Sequence, residues 1–204
     1  MSNPPKNQYH RYITFNDDAM INILNFLRDI QTQSDFDFLS EKEKQAAAHA
    51  FNLGVECILD CQISVRGELT VWCAQHDEKT LEPRPGRKYE LASLSGAESA
   101  KIVLFLQSLN STDPRVIKAI QSARRWYEKS RLRVRIENVN GDRVVIEDPN
   151  ASPMWARFYE IETNKPIFSG RDGIVRYKLS EIPLERRCGY AWYGDWGQKI
   201  ETKD

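Results

Sequence analysis

The sequence predicts a mainly α fold with a small β-containing part late in the chain. Two observations lead to this prediction. Before residue 130, four segments carry apolar residues at the three- and four-residue spacing of amphipathic helices. From residue 131 the pattern changes to a strict alternation of arginine and apolar residues, which is typical of a half-buried strand.

Each of the four helices has a recognisable start. The first begins near Asn16 or Asp17, either of which can cap it. The second and third begin at Ser40 and Ser95, each followed three residues later by a glutamate, which is the spacing of a capping box. The fourth begins at Asp113, where proline follows at the first helical position.

The β-containing part is predicted from alternation and turn residues. Residues 131–136 form one strand, and residues 144–146 form its partner across an Asn-Gly pair at 140–141, a strong hairpin signal. Residues 155–161 are predicted as a further strand, and Ser180 caps a short helix after it. The sequence shows no internal repeat.

Length and composition exclude several classes of protein. The 204 residues are 41% hydrophobic and 28% charged, which is ordinary for a globular protein. Lys plus Arg and Asp plus Glu are both 29, so the formal net charge is zero, which argues against a dedicated nucleic-acid binder. A basic cluster between residues 115 and 135 keeps a nucleic-acid face as a minor alternative. We expect no membrane partner, because no apolar run reaches the roughly 18 residues of a membrane span.

We predict a lead-in over residues 1–13 and one domain over residues 14–204. Four cysteines are too few for a disulfide scaffold. On paper, Cys57, Cys61, Cys73 and His76 supply four zinc ligands. Their spacing matches no standard zinc motif, and Cys57 lies among apolar residues, so the pattern favours burial in the core.

Three stretches combine polar, aromatic and glycine residues. In the first, Asp17 and its neighbour Asp18 provide oxygen ligands for Ca²⁺, or simply cap the helix. In the second, residues 71–90, His76 is a candidate general base, with a hydrogen-bonded histidine in a connection as the alternative. Arg87 follows Pro and Gly in a loop, where a planar guanidinium suits recognition of a carboxylate or phosphate.

The third stretch covers residues 155–173. Arg171 lies on a glycine-flanked turn near aromatic residues. That arrangement suits a clamp for an anion, with aromatic faces available to stack on sugar rings. The alternative is a plain hairpin turn in which Arg171 pairs with Asp172.

Together, these stretches resemble the C-terminal part of the catalytic domain of the family 10 polysaccharide lyases, the pectate lyases of bacteria. The matching motifs cover nearly the whole chain: Tyr9-His10-Arg11-Tyr12, Thr14-Phe15-Asn16-Asp17-Asp18, Trp72-Cys73-Ala74-Gln75-His76-Asp77, Ser93-Leu94-Ser95-Gly96, Trp155-Ala156-Arg157-Phe158-Tyr159-Glu160, Phe168-Ser169-Gly170-Arg171-Asp172-Gly173 and Gly189-Tyr190-Ala191-Trp192-Tyr193-Gly194. The resemblance implies a partial (α/α) toroid with a small β-containing C-terminal part. It also implies cleavage of polygalacturonate by calcium-assisted anti β-elimination.

The resemblance assigns roles to individual residues. Arg87 matches the arginine that acts as the base in this family, and Arg171 matches the arginine that grips the substrate carboxylate. Asp17 matches an aspartate associated with calcium. His76 and Asn164 are weaker candidates for binding substrate at the cleft wall.

One departure from the family is large. Its full catalytic domains carry an additional N-terminal segment with further helices and another calcium-binding aspartate, and nothing in this chain matches that segment. We therefore expect an incomplete catalytic domain: a fragment, a truncated gene product, or a form in which another polypeptide supplies the missing segment. The alternative is a non-catalytic remnant that binds pectin or oligogalacturonate. The resemblance implies a secreted or periplasmic location, although the chain shows no signal peptide.

Overall fold

The computed structural model describes residues 9–201. Its α-helices are α1 Ala19–Thr32, α2 Glu41–Asp60, α3 Glu98–Ser108, α4 Pro114–Lys129, α5 Leu184–Cys188 and α6 Gln198–Glu201. Short 3₁₀ helices cover Tyr9–Arg11, Asn16–Asp18, Ser34–Phe36 and Leu179–Glu181. The strands are β1 Ile13–Thr14, β2 Ser64–Val65, β3 Glu68–Leu69, β4 Gln75–His76, β5 Leu94–Ser95, β6 Val134–Val139, β7 Asp142–Glu147, β8 Trp155–Ala156, β9 Phe158–Tyr159 and β10 Tyr193–Gly194.

The four predicted long helices are confirmed as α1 to α4. Ser40 and Glu43 form the predicted capping box at the start of α2, and Asp113 accepts a hydrogen bond from Arg115 N–H at the start of α4. The second box forms only in part: Glu98 N–H donates to Ser95 Oγ at 3.2 Å, but Ser95 N–H donates to Trp72 O and not to the Glu98 side chain. Helix α3 nevertheless begins only at Glu98, because Ser95 belongs to strand β5.

The predicted cap of the first helix is wrong. Helix α1 begins at Ala19, and neither Asn16 nor Asp17 caps it with its side chain. Instead, Asp17 and Asp18 lie in a 3₁₀ turn with φ of 54° and 59°. A left-handed backbone at two successive non-glycine residues is uncommon and costs free energy. These carboxylates therefore remain available for interactions other than capping.

The sheets are all two-stranded and antiparallel. The predicted hairpin is confirmed as β6 and β7, joined at Asn140 and Gly141, which both have positive φ. The strand predicted over 155–161 is two short strands with different partners. Strand β8 pairs with β10, and β9 pairs with β5.

The predicted fold class, mainly α and built as a partial (α/α) toroid with β structure only in a small late part, is wrong. Of the described residues, 42% are helical and 18% are extended. Two-residue strands occur as early as β1, which pairs with β4. Such short strands leave no alternation in the sequence, because each is created by pairing with a distant loop. The packing of α1 to α4 does not establish a toroid.

Two apolar clusters organise these elements. The larger one lies among α1 to α4, with Trp72, Tyr127 and Trp155 fully buried in it. The second cluster packs the loops after β8, with Phe158, Phe168 and Trp192 in its interior and Tyr89 at 6% exposed. Burial of aromatic residues on this scale supplies most of the favourable free energy that holds such loops in place.

Two further observations concern the predicted boundaries and the membrane. Residues 1–8 of the predicted lead-in lie outside the described part, and strand β1 crosses the proposed boundary at residue 13. Between residues 9 and 201, no helix combines the length and the apolar character that crossing a bilayer requires.

Candidate functional site

A buried segment, residues 71–76, is the platform on which the candidate site is built. Every residue in it is buried. Trp72 holds the segment to two helices: its indole N–H donates to Ile58 O at 2.7 Å, and its backbone N–H donates to Ser99 Oγ at 3.0 Å. The next loop returns over this platform, because Arg84 N–H donates to Gln75 O at 2.9 Å.

The loop of residues 84–90 places Arg87 at the surface and Glu90 below it. Backbone hydrogen bonds close the loop, from Gly86 N–H to Glu90 O at 2.9 Å and from Glu90 N–H to Arg87 O at 2.7 Å. The side chain of Arg87 is 47% exposed, whereas that of Glu90 is 3% exposed. Arg87 Nη2 lies 2.5 Å from Glu90 Oε1, and Arg87 N–H donates to Glu90 Oε2 at 2.8 Å.

Two tyrosines frame the guanidinium of Arg87. Tyr89 and Tyr190 meet edge to face, with ring centroids 5.1 Å apart. The guanidinium lies 5.2 Å from the Tyr89 ring and 5.8 Å from the Tyr190 ring, within the range of cation–π attraction. The hydroxyl of Tyr190 donates to Glu90 Oε1 at 2.9 Å.

These contacts define the charge state of the site. The hydrogen bond with Glu90, opposed by partial burial, raises the pKa of Arg87 well above its ordinary value. Burial by itself would raise the pKa of Glu90, but the hydrogen bonds from Arg87 and Tyr190 outweigh it and the pKa lies below its ordinary value. Arg87 and Glu90 therefore form an ion pair at neutral pH.

Arg171 lies on a loop that packs against the loop of Arg87. Gly173, with φ of +74°, brings that loop against the Arg87 loop, since a Cβ added to it would lie 3.4 Å from Lys88 O. Arg171 pairs with Glu185 at 2.8 Å, which raises the pKa of Arg171, and it also interacts electrostatically with Tyr89. The alternative pairing with Asp172 does not form, because that carboxylate binds Arg176 at 2.7 Å. The structure thus places the loops that carry Arg87 and Arg171 side by side.

Asp17 lies in a neighbouring pocket of about 200 Å³. Asp18, Glu98, Lys101, Arg157 and Trp196 also line this pocket. Asp18 pairs with Lys101 at 3.5 Å, and Glu98 pairs with Arg157. Among the residues from 9 to 201, no ion pair or hydrogen bond involves the carboxylate of Asp17.

Arg157 connects the two regions. Its guanidinium lies 4.9 Å from the Tyr190 ring and 5.9 Å from the Trp196 ring, so it contacts both the tyrosine pair and the Asp17 pocket. Burial lowers the pKa of Arg157, but the charge and hydrogen bond of Glu98, together with the charges of Tyr190 and Glu90, outweigh it and the net pKa is raised. The resulting surface carries the guanidinium groups of Arg87, Arg157 and Arg171, a composition suited to a polyanion.

The described residues do not form a calcium site by themselves. Ca²⁺ takes six to eight oxygen ligands. Within the described part of the chain, no three His, Cys, Asp or Glu side chains are grouped so as to hold a metal ion. Asp18 and Glu98, the acids beside Asp17, are already neutralised by Lys101 and Arg157. Among those residues, Cys57, Cys61, Cys73 and His76 likewise form no metal-binding group, and the four cysteines are free thiols.

His76 and Asn164 are engaged inside the protein. His76 is fully buried, with Nδ1 2.8 Å from Leu81 O and Nε2 accepting a hydrogen bond from Cys73 N–H at 3.0 Å. Burial lowers the pKa of His76. Asn164 accepts from Trp126 Nε1 at 2.7 Å and donates to Ser130 Oγ at 2.8 Å, which ties its loop to α4.

Sequence reasoning missed Glu90, Arg157 and Tyr190 as members of the site. The spacing of Arg87 and Glu90, three residues apart, is the only local signal for that pair. Tyr190 lies 100 residues beyond Glu90 in the sequence, and only the folded chain brings them into contact.

Comparisons with known proteins agree on one family. The profile of the family described as pectic acid lyase matches residues 2–201. Among solved structures, the family 10 polysaccharide lyase from Cellvibrio cellulosa is 33% identical, with a TM-score of 0.87 over 97% of this chain. A mutant of that lyase, solved in complex with trigalacturonic acid, gives the same identity, coverage and TM-score.

The likeness covers only part of the neighbour. This chain spans 62% of the first structure and 63% of the mutant. The comparison with curated proteins found no match.

Proposed function

We propose that this chain, which belongs to the pectic acid lyase family, binds polygalacturonate and cleaves it by anti β-elimination. The observation that carries the proposal is that the loop carrying Arg171 lies against the loop carrying Arg87, whose guanidinium lies over the Tyr89 ring. The mutant lyase that matches this chain with a TM-score of 0.87 was solved with trigalacturonic acid. That complex supports a galacturonate polymer as the substrate.

The chemistry of elimination explains why two arginines are useful. The proton at C5 of a galacturonate becomes acidic only when the charge of the adjacent carboxylate is compensated. Arg171 is 67% exposed and pairs with Glu185, which is itself 56% exposed, so it can exchange that partner for the substrate carboxylate. A bidentate guanidinium contact then stabilises the enolate-like transition state.

Arg87 is the proposed base. In its neutral form, a guanidine nitrogen takes the C5 proton, and the C–H electron pair forms the C4–C5 double bond. The C4–O bond breaks, and the leaving oxygen takes a proton from solvent. Arg87 must first lose its own proton, which its ion pair with Glu90 opposes. The reaction is therefore expected to be faster at alkaline pH.

We propose calcium as a cofactor that this chain does not bind alone. Asp17 has a carboxylate without a cationic partner among the described residues, and it lines a pocket together with Asp18 and Glu98. The remaining oxygen ligands would come from the polymer or from another polypeptide that completes the domain.

The test is direct. The protein is incubated with polygalacturonate, with and without Ca²⁺, and the absorbance of the unsaturated product is followed between pH 7 and pH 10. We expect absorbance to rise with time and to rise faster at higher pH. A folded sample that produces no unsaturated product under any of these conditions would refute turnover by this chain.

A second candidate function is binding without cleavage. Its support is the Arg87–Glu90 pair, which keeps Arg87 cationic, together with the incomplete set of metal ligands. Calorimetry with trigalacturonic acid separates the two functions. Binding without product selects the binding protein, and product formation selects the lyase.

A further inference from the structure

We propose that Glu90 is the positioning residue for Arg87: it fixes the guanidinium between Tyr89 and Tyr190 and sets the pH at which Arg87 can accept a proton. This inference rests on the proposed role of Arg87 as the base. Glu90 does not reach the surface and therefore acts on the substrate only through Arg87.

Burial and hydrogen bonding make Glu90 unusually well fixed. One oxygen of its carboxylate, Oε1, receives the Arg87 side chain at 2.5 Å and the Tyr190 hydroxyl at 2.9 Å. The other oxygen receives the backbone N–H of Arg87 at 2.8 Å. A buried carboxylate with three donors cannot rotate away without leaving a donor unpaired, so its geometry determines that of the guanidinium.

The Glu90 carboxylate also lies close to the backbone of its own loop, at Gly86. A Cβ added at Gly86 would lie 2.8 Å from Glu90 Oε2 and 3.2 Å from Gln75 Oε1. Among the described residues, Gln75 Oε1 is a buried acceptor with no hydrogen-bond donor. The Glu90 carboxylate and this acceptor therefore both lie against the position that a side chain at residue 86 would take, so the loop has no room for one.

The surrounding charges explain why Glu90 controls the protonation of Arg87. Arg157 and Arg186 contact the tyrosine pair from other elements, with the Arg186 guanidinium 4.5 Å from the Tyr89 ring. The loop that carries Arg171 lies against the loop of Arg87. The cations Arg157 and Arg186 disfavour a further positive charge at Arg87, whereas Glu90 is the carboxylate that contacts it. Removing the negative charge of Glu90 should therefore leave Arg87 easier to deprotonate.

The test compares wild-type protein with Glu90→Gln, which keeps the shape of the side chain and removes its charge. The first readout, nuclear magnetic resonance of the Arg87 guanidinium in the full chain, does not depend on turnover. We expect its N–H hydrogens to exchange with solvent at least tenfold faster in the variant. The second readout is the midpoint of the alkaline rise in kcat, which we expect at least one pH unit lower, with KM changed less than threefold.

Two variants keep the test interpretable. Tyr190→Phe removes one donor to Glu90 without changing charge, and it should accelerate exchange at Arg87 by two- to fivefold even if Glu90→Gln fails to fold. Glu56→Gln breaks a matched ion pair with Arg115 on the surface of the helical part, and neither readout should change.

The outcomes separate this inference from the proposed function. If guanidinium exchange in folded Glu90→Gln and Tyr190→Phe stays within twofold of wild type, the positioning role is overturned, whether or not the protein cleaves pectate. If exchange accelerates but wild-type protein forms no unsaturated product, the lyase function fails and the control of Arg87 by Glu90 stands.

Discussion

The segment of residues 71–76 and the loop of residues 84–90 differ in what folding does with their polar groups. Both contain residues that suggest chemistry, and both lie in the same region of the structure. In the segment, the polar side chain of His76 is fully buried and its two ring nitrogens are satisfied internally. In the loop, Arg87 remains half exposed on a buried carboxylate. The role proposed for Arg87 therefore rests on its exposure on a fixed support, which residue type alone does not reveal.

The largest effect is expected from Arg87→Ala. Loss of a general base typically lowers turnover by about 10²–10⁴-fold, and we expect roughly a 10³-fold loss of kcat. Stability should fall by only about 1–2 kcal/mol, because Glu90 keeps the hydrogen bonds from Tyr190 and the backbone. Product absorbance and thermal unfolding measure the two quantities.

The matched control for this change is Arg84→Ala, in the same loop. Arg84 pairs with Asp77 and Glu82 and does not contact the tyrosine pair, so turnover should stay within about threefold of wild type. Equal losses in the two variants would mean that the whole loop, and not Arg87, supports the activity.

His76→Ala is expected to lower stability strongly and turnover little, which is the reverse of Arg87→Ala. The change leaves the Cys73 N–H and the Leu81 carbonyl without partners and opens a cavity beside Phe15, whose ring centroid lies 5.7 Å from that of His76. Together these should cost about 3–5 kcal/mol of unfolding free energy. Molecules that remain folded should keep kcat within about threefold.

Denaturant unfolding and kinetics on the same sample test this prediction, with His49→Ala at an exposed position as the control, expected within about 0.5 kcal/mol of wild type. If His76→Ala abolished turnover while leaving stability unchanged, the structural role assigned to the buried segment would be wrong.

The sequence predicts the features that depend on contacts between nearby residues and misses those that depend on distant partners. The capping box at Ser40 and the turn at Asn140 were predictable because their contacts are only a few residues apart. Strand β5 was not, since its pairing of Leu94 with Tyr159 depends on a partner 65 residues away. The stretch around Arg87 was identified as a loop with functional potential, but its support by Glu90 and Tyr190 depends on side chains that meet only in the folded chain.

A smaller effect is expected from Gly86→Ala, which joins the two regions. The new Cβ would approach Glu90 Oε2 to 2.8 Å and Gln75 Oε1 to 3.2 Å, so at least one of these side chains must shift. Overpacking at a single methyl group should cost about 1 kcal/mol. Because the Glu90 carboxylate fixes Arg87, kcat should fall by more than this small loss of stability explains, by about tenfold. An unchanged kcat would show that the site tolerates movement of Glu90.

The smallest effect is expected at Asp77, the first residue after the buried segment of residues 71–76. Hydrogen bonds from the backbone N–H groups of Thr80 and Lys79 lower the pKa of its carboxylate to about 2. The ordinary value in an unfolded chain is about 4. The carboxylate therefore stabilises the folded state above roughly pH 4, and this contribution is lost as pH falls towards 2.

Asp77→Asn removes the titration while keeping an oxygen that accepts a hydrogen bond. We expect the variant to have a lower melting temperature than wild type at pH 6, and the difference to shrink steadily between pH 4 and pH 2. Asp35→Asn, at an exposed position in another part of the chain, controls for the change in net charge. A difference in melting temperature that did not vary with pH would show that the Asp77 charge does not stabilise the turn. The connection between segment and loop would then depend on the backbone hydrogen bonds alone.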